Sequence, residues 1–265
     1  MAHTFVLVHG AWHGGWCWQR VADRLRRDGH AVFTPTLTGL GERSHLLRPG
    51  IDLATHVADI VNVMRWERLS DVVLCGHSYG GFVISSVAEA TPVLIRSIVF
   101  LDAFLPENGD TIQKLTGPAI RDAIRAALQR NDPGVAPRPA EAFGVNAADR
   151  QWVDDLCVPQ PIGTFTSPTA LSGARERIAR KIYIRAKGYN NPSFDRALSA
   201  VQSDPSWRRH EMDGRYAGTP HRTSAASRGL KRSNCSEPSR LMRGKRSTSQ
   251  VRYSCIAALT SPERS

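Results

Sequence analysis

With 265 residues, of which 41% are hydrophobic and 7% aromatic, the chain is long enough for one large domain and too apolar to be disordered as a whole. Its net charge of +11 is concentrated in residues 214–265, which hold 11 Lys and Arg against two Glu, whereas residues 1–213 carry a net charge of only +2. The charge therefore gives no reason to expect a nucleic-acid partner for residues 1–213, and an anionic partner can be argued only for the tail.

Short apolar runs alternate with amphipathic segments along the first hundred residues. The apolar runs predict strands at residues 5–8, 31–34, 72–75 and 95–101. The segments with helical spacing predict helices at residues 16–27, 52–66 and 80–90. Strands that alternate with helices in this way are typical of βαβ units, so we predict a mostly parallel sheet with helices on both faces.

After Asp102 the regular alternation stops. The next segments predicted to be helical are separated by proline-rich joints and cover residues 120–128 and 147–156. We interpret this stretch, about residues 103–180, as a helical cap inserted into the domain. Three aromatic residues of the cap are candidates to line an apolar pocket, although core packing explains them equally: Phe143, Trp152 and Phe165.

The strand pattern resumes after the cap. Strands at residues 181–184 and 207–212 flank a helix at 192–201, so residues 1–213 are predicted to form one domain. Residues 214–265 contain ten serines, no Asp and no helical or strand period. Such a segment cannot bury enough apolar surface to offset its ordering entropy, which predicts a disordered basic tail. Its basic residues are not interleaved with aromatic ones, so we expect no specific nucleic-acid partner.

The cysteines are scattered along the chain without CxxC spacing, at Cys17, Cys75, Cys157, Cys235 and Cys255. This pattern favours reduced thiols over a disulfide framework or a zinc site.

The chain begins with an apolar strand and shows neither a basic n-region nor a cleavage site, and no run approaches the ~18 apolar residues of a membrane span. We therefore expect a cytoplasmic protein with no membrane partner.

The motif Gly76-His77-Ser78-Tyr79-Gly80 matches G-x-S-x-G and lies between a predicted strand and a predicted helix. A nucleophile elbow requires this strand–turn–helix context, and its strained turn leaves no room for Cβ atoms beside the serine. The turn lifts the hydroxyl of Ser78 clear of the sheet and directs the first amides of the helix at a reacting carbonyl. We therefore predict that Ser78 is a catalytic nucleophile, the alternative being a plain glycine-rich turn.

The loop after the first strand reads HGAWHGGW over residues 9–16. In this architecture that loop supplies the second amide of the oxyanion hole, and we assign the hole to the backbone N–H groups of Ala11 and Tyr79. A glycine-rich turn that packs its tryptophans into the core is compatible with this assignment. His9 and His13 are interpreted as structural hydrogen-bonding residues, because the base in this fold comes late in the chain.

These segments resemble the hydroxynitrile lyase/plant methylesterase-like branch of the α/β hydrolases, and especially its bacterial esterase members. The resemblance rests on FVLVHGAWHGGW (5–16), TLTGLGER (36–43), GHSYGG (76–81) and FLDAF (100–104), and it extends through GYNNPSF (188–194) to Asp213. It implies an α/β-hydrolase fold with a helical cap over the pocket, and a cofactor-free, metal-free Ser-His-Asp enzyme that acts on a small ester. Lyase members carry a threonine where this chain has Gly10, which favours ester hydrolysis and leaves hydroxynitrile lyase activity as an alternative.

The catalytic acid departs from the family pattern. The family acid usually follows the penultimate strand, but residues 185–188 here read RAKG and contain no carboxylate. We predict that Asp102 is the acid, because some α/β hydrolases take it from the strand after the nucleophile helix and the order Ser…Asp…His is kept. Its role would be to orient the imidazole and stabilise its protonated form. A strand-end capping aspartate is the alternative, and Asp195 is a weaker candidate on a helix surface.

The catalytic base is also displaced. The resemblance predicts a Gly-His pair shortly after residues 207–212, but residues 211–216 read EMDGRY. His221 is the candidate base, while His210 is expected to lie on a sheet face. Without a base, Ser78 would lose general-base activation, which is worth on the order of 10⁴–10⁶ in rate. A catalytically impaired hydrolase-fold protein is therefore the competing function.

The composition of the chain changes abruptly after Asp213, which leads to the hypothesis of a reading-frame shift. Sequencing of the DNA across codons 210–220 tests this hypothesis.

Overall fold

The computed structural model describes residues 1–212, which contain one large sheet and one small one. The strands are β1 (Thr4–Val8), β2 (Ala31–Phe33), β3 (Val72–Ser78), β4 (Ile95–Ala103), β5 (Gly134–Val135), β6 (Gln160–Pro161), β7 (Arg180–Ala186) and β8 (Trp207–Met212). The large sheet has the order β2-β1-β3-β4-β7-β8, and all of its neighbouring strands are parallel. Strands β5 and β6 form the separate antiparallel pair.

Helices cover both faces of the large sheet. They are α1 (Gln19–Arg27), α2 (Leu53–Trp66), α3 (Gly80–Ala90), α4 (Ile112–Leu115), α5 (Pro118–Gln129), α6 (Ala147–Leu156), α7 (Gly163–Thr166) and α8 (Pro192–Gln202). Alternate strand residues point to opposite faces. In β1, for example, Phe5 and Leu7 join the core under α1, whereas Val6 and Val8 join the larger core under α2 and α3. The predicted architecture, a mostly parallel sheet with helices on both faces, is confirmed.

The predicted elements differ from the observed ones mainly at their ends. The third strand continues beyond the predicted residue 75 to Ser78, because the motif residues complete the pairing with β4. The helix predicted from residue 16 is divided into a 3₁₀ turn, Gly15–Trp18, and α1. A side chain at Gly15 would contact the carbonyl oxygen of Thr34, with its Cβ only 2.0 Å away, so this close approach fixes the start of the turn.

The chain between β4 and β7 carries α4 to α7 and the β5–β6 pair. This is the stretch that the sequence predicts to be a cap, and we call it the cap below. Strands β5 and β6 were not predicted from the sequence, since each has only two residues and no periodicity can be detected over that length.

Several predictions concern residues outside this description. The basic tail from residue 214, the base candidate His221, Cys235 and Cys255 all lie outside the described residues. Within residues 1–212, the cysteines are free thiols. Over the same range, none of the helices combines the length and the apolar character needed to cross a membrane.

Candidate active site

Ser78 is the last residue of β3 and lies at the sharp turn that leads through Tyr79 into α3. Its φ of +52° is in the left-handed region, which non-glycine residues seldom adopt. The glycines on either side allow the turn: a Cβ at Gly76 would lie 2.6 Å from the carbonyl oxygen of Gly80, and a Cβ at Gly80 would lie 2.9 Å from that of Val8. The strand–turn–helix geometry of a nucleophile elbow is therefore present, and its strain is stored at the residue predicted to react.

The two proposed oxyanion-hole residues border the same pocket as Ser78. Tyr79 immediately precedes α3, so its N–H belongs to the positive end of the helix dipole. Ala11 follows β1 in the neighbouring loop. Within residues 1–212, neither backbone N–H donates a hydrogen bond to another group, which leaves both amides available to a ligand.

Asp102 is a buried carboxylate beside the elbow. It lies near the end of β4, one residue before Ala103, which pairs with Ser78 across the strands. Its side chain is 1% exposed, and Oδ1 accepts hydrogen bonds from Arg185 Nη1 and the backbone N–H of Ala186, both at 2.9 Å. Within the described part of the chain, the buried Oδ2 has no hydrogen-bond partner. Asp102 therefore keeps one acceptor oxygen for a further donor.

Burial dominates the protonation of Asp102. It raises the pKa of this carboxyl to about 6, although the hydrogen bond from Ala186 and the positive charge of Arg185 act in the opposite direction. A donor bonded to Oδ2, and above all a cationic one, would favour the ionised form and lower this pKa.

Arg185 occupies the place where the family resemblance predicts the acid. Its side chain is 2% exposed, and it joins Asp102 to Asp195 on α8, with 2.8 Å between Nη2 and Asp195 Oδ1. Its Nη2 also donates to the carbonyl oxygen of Tyr189 at 2.7 Å, so it anchors the chain that follows β7. Asp195 itself is 58% exposed on its helix, as expected from the sequence. Sequence reasoning missed Arg185, although a basic residue inside an apolar strand is a signal for a buried partner.

The histidines of the first loop are held by hydrogen bonds. His9 is fully buried, with Nδ1 2.8 Å from the carbonyl oxygen of Gly10 and Nε2 3.1 Å from the backbone nitrogen of Leu37. Burial lowers the pKa of His9 to about 3, so the ring is neutral at physiological pH. His13 lies with Nδ1 2.7 Å from the carbonyl oxygen of Ala11. Both rings therefore have the structural roles that the sequence suggests.

The base remains a prediction. Within residues 1–212, no side chain hydrogen-bonds to Ser78 Oγ. His210 lies on β8 and borders a different, solvent-open depression with Trp207 and Arg208, away from the residues around Ser78. His221 is outside the described residues.

The pocket at Ser78 is mainly apolar and has an empty volume of about 720 Å³, including the solvent at its mouth. Its apolar wall is formed by Trp12, Phe104, Ile112, Ile120, Phe143, Val145, Phe165 and Phe194. Polar atoms come from His13, His77, Thr116, Tyr189 and Asn191, and no Asp, Glu, Lys or Arg of the described residues lines it. Of the three cap aromatics named above, Phe143 and Phe165 line the pocket, whereas Trp152 packs edge-on against Trp16 with ring centroids 4.9 Å apart.

Nowhere in residues 1–212 do three or more His, Cys, Asp or Glu side chains come together closely enough to hold a metal ion.

The sequence and the fold agree with those of known proteins. The family model described as "Alpha/beta hydrolase family" matches residues 5–227. The chain belongs to this family. A carbendazim hydrolyzing esterase of Nocardioides sp. (strain SG-4G) is 42% identical over 213 residues, which cover 77% of this chain and 88% of that protein. Methylesterase 10 of Arabidopsis thaliana is 37% identical over 109 residues, 40% of this chain and 39% of that one.

A solved structure supports the fold. An extracellular alpha/beta-hydrolase from a Paenibacillus species superposes with a TM-score of 0.71 at 24% identity, covering 80% of this chain and 90% of that one. The α/β-hydrolase fold and the resemblance to bacterial esterases and plant methylesterases are thus confirmed. Among the family's many enzymes, the sequence relatives place this chain with the carboxylic ester hydrolases.

Proposed function

We propose that this protein is a serine carboxylesterase that cleaves small, uncharged esters through an acyl-enzyme on Ser78. The observation that carries the proposal is the strained elbow, which presents Ser78 to an apolar pocket bordered by two unbonded backbone amides. The related esterases support the same reaction class.

The proposed chemistry follows from this arrangement. Ser78 Oγ attacks the ester carbonyl carbon while its proton passes to a base, and the negative oxygen is held by the N–H groups of Ala11 and Tyr79. Collapse of the tetrahedral intermediate breaks the bond to the alcohol, which leaves with the proton from the base. Water then attacks the acyl group by the same steps, and the acid is released with Ser78 restored.

We assign Asp102 as the acid and His221 as the base in this scheme. Oδ2 of Asp102 is buried and has no hydrogen-bond partner within residues 1–212. Asp102 directly precedes Ala103, which pairs with Ser78, so an imidazole placed beside Ser78 would donate its N–H to this oxygen. A buried carboxylate with one oxygen fixed by Arg185 and one oxygen open is suited to orient such a ring. His221 is the histidine that follows Asp102 in the required chain order beyond residue 212.

The lining of the pocket favours an uncharged substrate. A carboxylate or ammonium on the substrate would find no opposite charge among the described lining residues and would lose its hydration. Aromatic and branched aliphatic walls instead stabilise apolar acyl or alcohol groups through burial of apolar surface.

The competing function is a hydrolase-fold protein without efficient turnover. It is favoured by one observation, that no side chain within residues 1–212 hydrogen-bonds to Ser78 Oγ. Hydroxynitrile lyase activity is disfavoured by Gly10: a Cβ there would lie 3.1 Å from Ser78 Cβ and 3.0 Å from His77 Nδ1, so a threonine would crowd the nucleophile.

Hydrolysis of p-nitrophenyl acetate and butyrate by the full chain, beside Ser78→Ala, tests the proposal. We expect turnover that disappears in Ser78→Ala and falls strongly in His221→Ala, with a matched surface control, His45→Ala, that behaves as the wild type. Turnover that persists in Ser78→Ala would exclude the acyl-enzyme on this residue. A wild type no faster than Ser78→Ala would establish the competing function.

A further inference from the structure

The polar groups of Trp12, the residue after Ala11, are all bound by the cap. Its backbone N–H donates to Gln160 Oε1 at 2.9 Å, its indole N–H donates to the carbonyl oxygen of Val135 at 2.9 Å, and its carbonyl accepts from the N–H of Val158 at 3.0 Å. These partners lie more than 120 residues further along the chain. The cap therefore fixes this part of the first loop.

Trp12 needs such support because its φ is +66°. A bulky residue with positive φ is rare, and it persists where surrounding contacts impose the conformation. The peptide group between Ala11 and Trp12 is held on both sides, since His13 Nδ1 contacts its carbonyl oxygen at 2.7 Å and Gln160 binds its N–H. The Ala11 N–H belongs to the preceding peptide group, whose carbonyl oxygen, that of Gly10, lies 2.8 Å from His9 Nδ1. The two peptide groups meet at Ala11, so holding the second one limits the rotation that would redirect this N–H.

A second hydrogen bond of Gln160 leads towards the side chain of Tyr79. Gln160 is fully buried, and its Nε2 donates to Thr164 Oγ1 at 2.7 Å. Thr164 Oγ1 donates to the carbonyl oxygen of Pro161 at 2.7 Å and lies beside the hydroxyl of Tyr79, which contacts His56 Nδ1 at 3.0 Å. A chain of buried hydrogen bonds thus runs from Trp12 through Gln160 to Thr164 and ends next to the side chain of Tyr79.

We propose that Gln160 is a positioning residue that sets the geometry of the oxyanion hole from the cap. The inference rests on the proposed ester hydrolysis at Ser78 and adds to it a residue that does not touch the substrate, since Gln160 is absent from the pocket lining. A neutral amide is suited to the position because it accepts from Trp12 and donates to Thr164 at once. Methionine has a similar shape and offers neither bond.

The first test is steady-state hydrolysis of p-nitrophenyl butyrate by full-length Gln160→Met. Oxyanion stabilisation acts on the transition state, so we expect kcat to fall about 10- to 100-fold while KM changes by less than about twofold. Thr169→Val is the matched control, because it removes another buried cap hydrogen bond, from Thr169 Oγ1 to the carbonyl oxygen of Glu107. An unchanged kcat in Gln160→Met, or an equal loss in Thr169→Val, would overturn the proposal.

A second variant covers the possibility that Gln160→Met does not fold. Thr164→Val keeps the bond between Trp12 and Gln160 and removes the acceptor of Gln160 Nε2 together with the hydroxyl beside Tyr79, so we expect a smaller fall in kcat, about three- to tenfold, again with little change in KM. A wild-type kcat in Thr164→Val would mean that Tyr79 needs no support from the cap. It would refute the part of the proposal that concerns Tyr79.

A measurement without turnover separates this proposal from the proposed function. In ¹H–¹⁵N spectra of the full chain, Gln160→Met should move the amide resonances of Ala11 and Trp12, whereas Thr169→Val should leave them in place. Unmoved resonances would refute the positioning role even in an active esterase. If the resonances move in a chain that shows no hydrolysis, the positioning role of Gln160 is supported, and only the proposed esterase function is contradicted.

Discussion

Substitution of Arg185 by methionine should destabilise the protein in a manner that depends on pH. The guanidinium is 2% exposed and contacts Asp102, which is 1% exposed. Removing one partner of a buried ion pair leaves an uncompensated charge and costs about 3–5 kcal/mol. Methionine fills much of the volume of the arginine side chain. The loss of stability therefore comes mainly from the missing positive charge and from the missing hydrogen bonds to the carbonyl oxygens of Ala186 and Tyr189.

The sign of the pH dependence follows from the raised pKa of Asp102. Burial raises it from 3.8 to about 6, so the folded state binds this proton more tightly than the unfolded state does. The stability contributed by the protonated carboxyl is complete below pH ~4 and is lost as the pH rises through 6. For a shift of this size, the free energy of unfolding falls by about 3 kcal/mol over that range. Without Arg185 the pKa of Asp102 rises further, so the variant should lose more stability at pH 8 than at pH 5.

Urea denaturation at pH 5 and pH 8 measures this difference. We expect the loss of unfolding free energy in Arg185→Met to be larger at pH 8 than at pH 5 by about 1 kcal/mol or more, because a further rise in the pKa of Asp102 penalises only the ionised carboxylate. The double variant with Asp102→Asn should recover the pH-dependent part, because neither charge of this buried pair is then left. An equal loss at both pH values, or a double variant as unstable at pH 8 as Arg185→Met, would refute the reasoning.

Three further outcomes are expected. Gly76→Ala should lower the unfolding free energy by about 1–3 kcal/mol in urea denaturation, since its Cβ would lie 2.6 Å from Gly80 O. Gly10→Thr should lower kcat/KM for p-nitrophenyl butyrate about 100-fold without any cleavage of mandelonitrile, as its Cβ would lie 3.1 Å from Ser78 Cβ. Phe143→Ala should raise KM for the butyrate about tenfold and change KM for the acetate less, and an equal change for both esters would mean that this ring lies away from the acyl group.

The features that could be predicted from the sequence are local. A four-residue apolar run is enough to indicate a buried strand, and G-x-S-x-G between strand and helix indicates an elbow, in which Gly76 is required by a contact only four residues away. The boundaries of α6 and β8 were predicted to the residue, and in α6 the helical spacing of the apolar residues ends at Leu156.

The contacts that could not be predicted join distant parts of the chain. Arg185 meets Asp102 across 83 residues, and Gln160 meets Trp12 across 148 residues. No periodicity or motif encodes such a pair: Arg185 inside an apolar strand indicates that a buried partner exists, but neither it nor Gln160 indicates which residue that partner is. The sequence could identify Asp102 as a candidate only from the order of residues expected in a triad, whereas its second oxygen, left unbonded within residues 1–212, emerges from the packing.

The attachment of Trp12 to the cap restricts how a substrate can enter. If the cap moved away from the sheet as a rigid lid, the hydrogen bonds from Gln160, Val135 and Val158 to Trp12 would break together. An open form would then have lost the support of its first loop and would be a poor catalyst. Entry by rotation of side chains at the pocket mouth avoids this conflict, and such rotations take nanoseconds, whereas lid motions take microseconds to milliseconds. The hydrogen bonds of Trp12 therefore favour a route of substrate entry that does not require the cap to open.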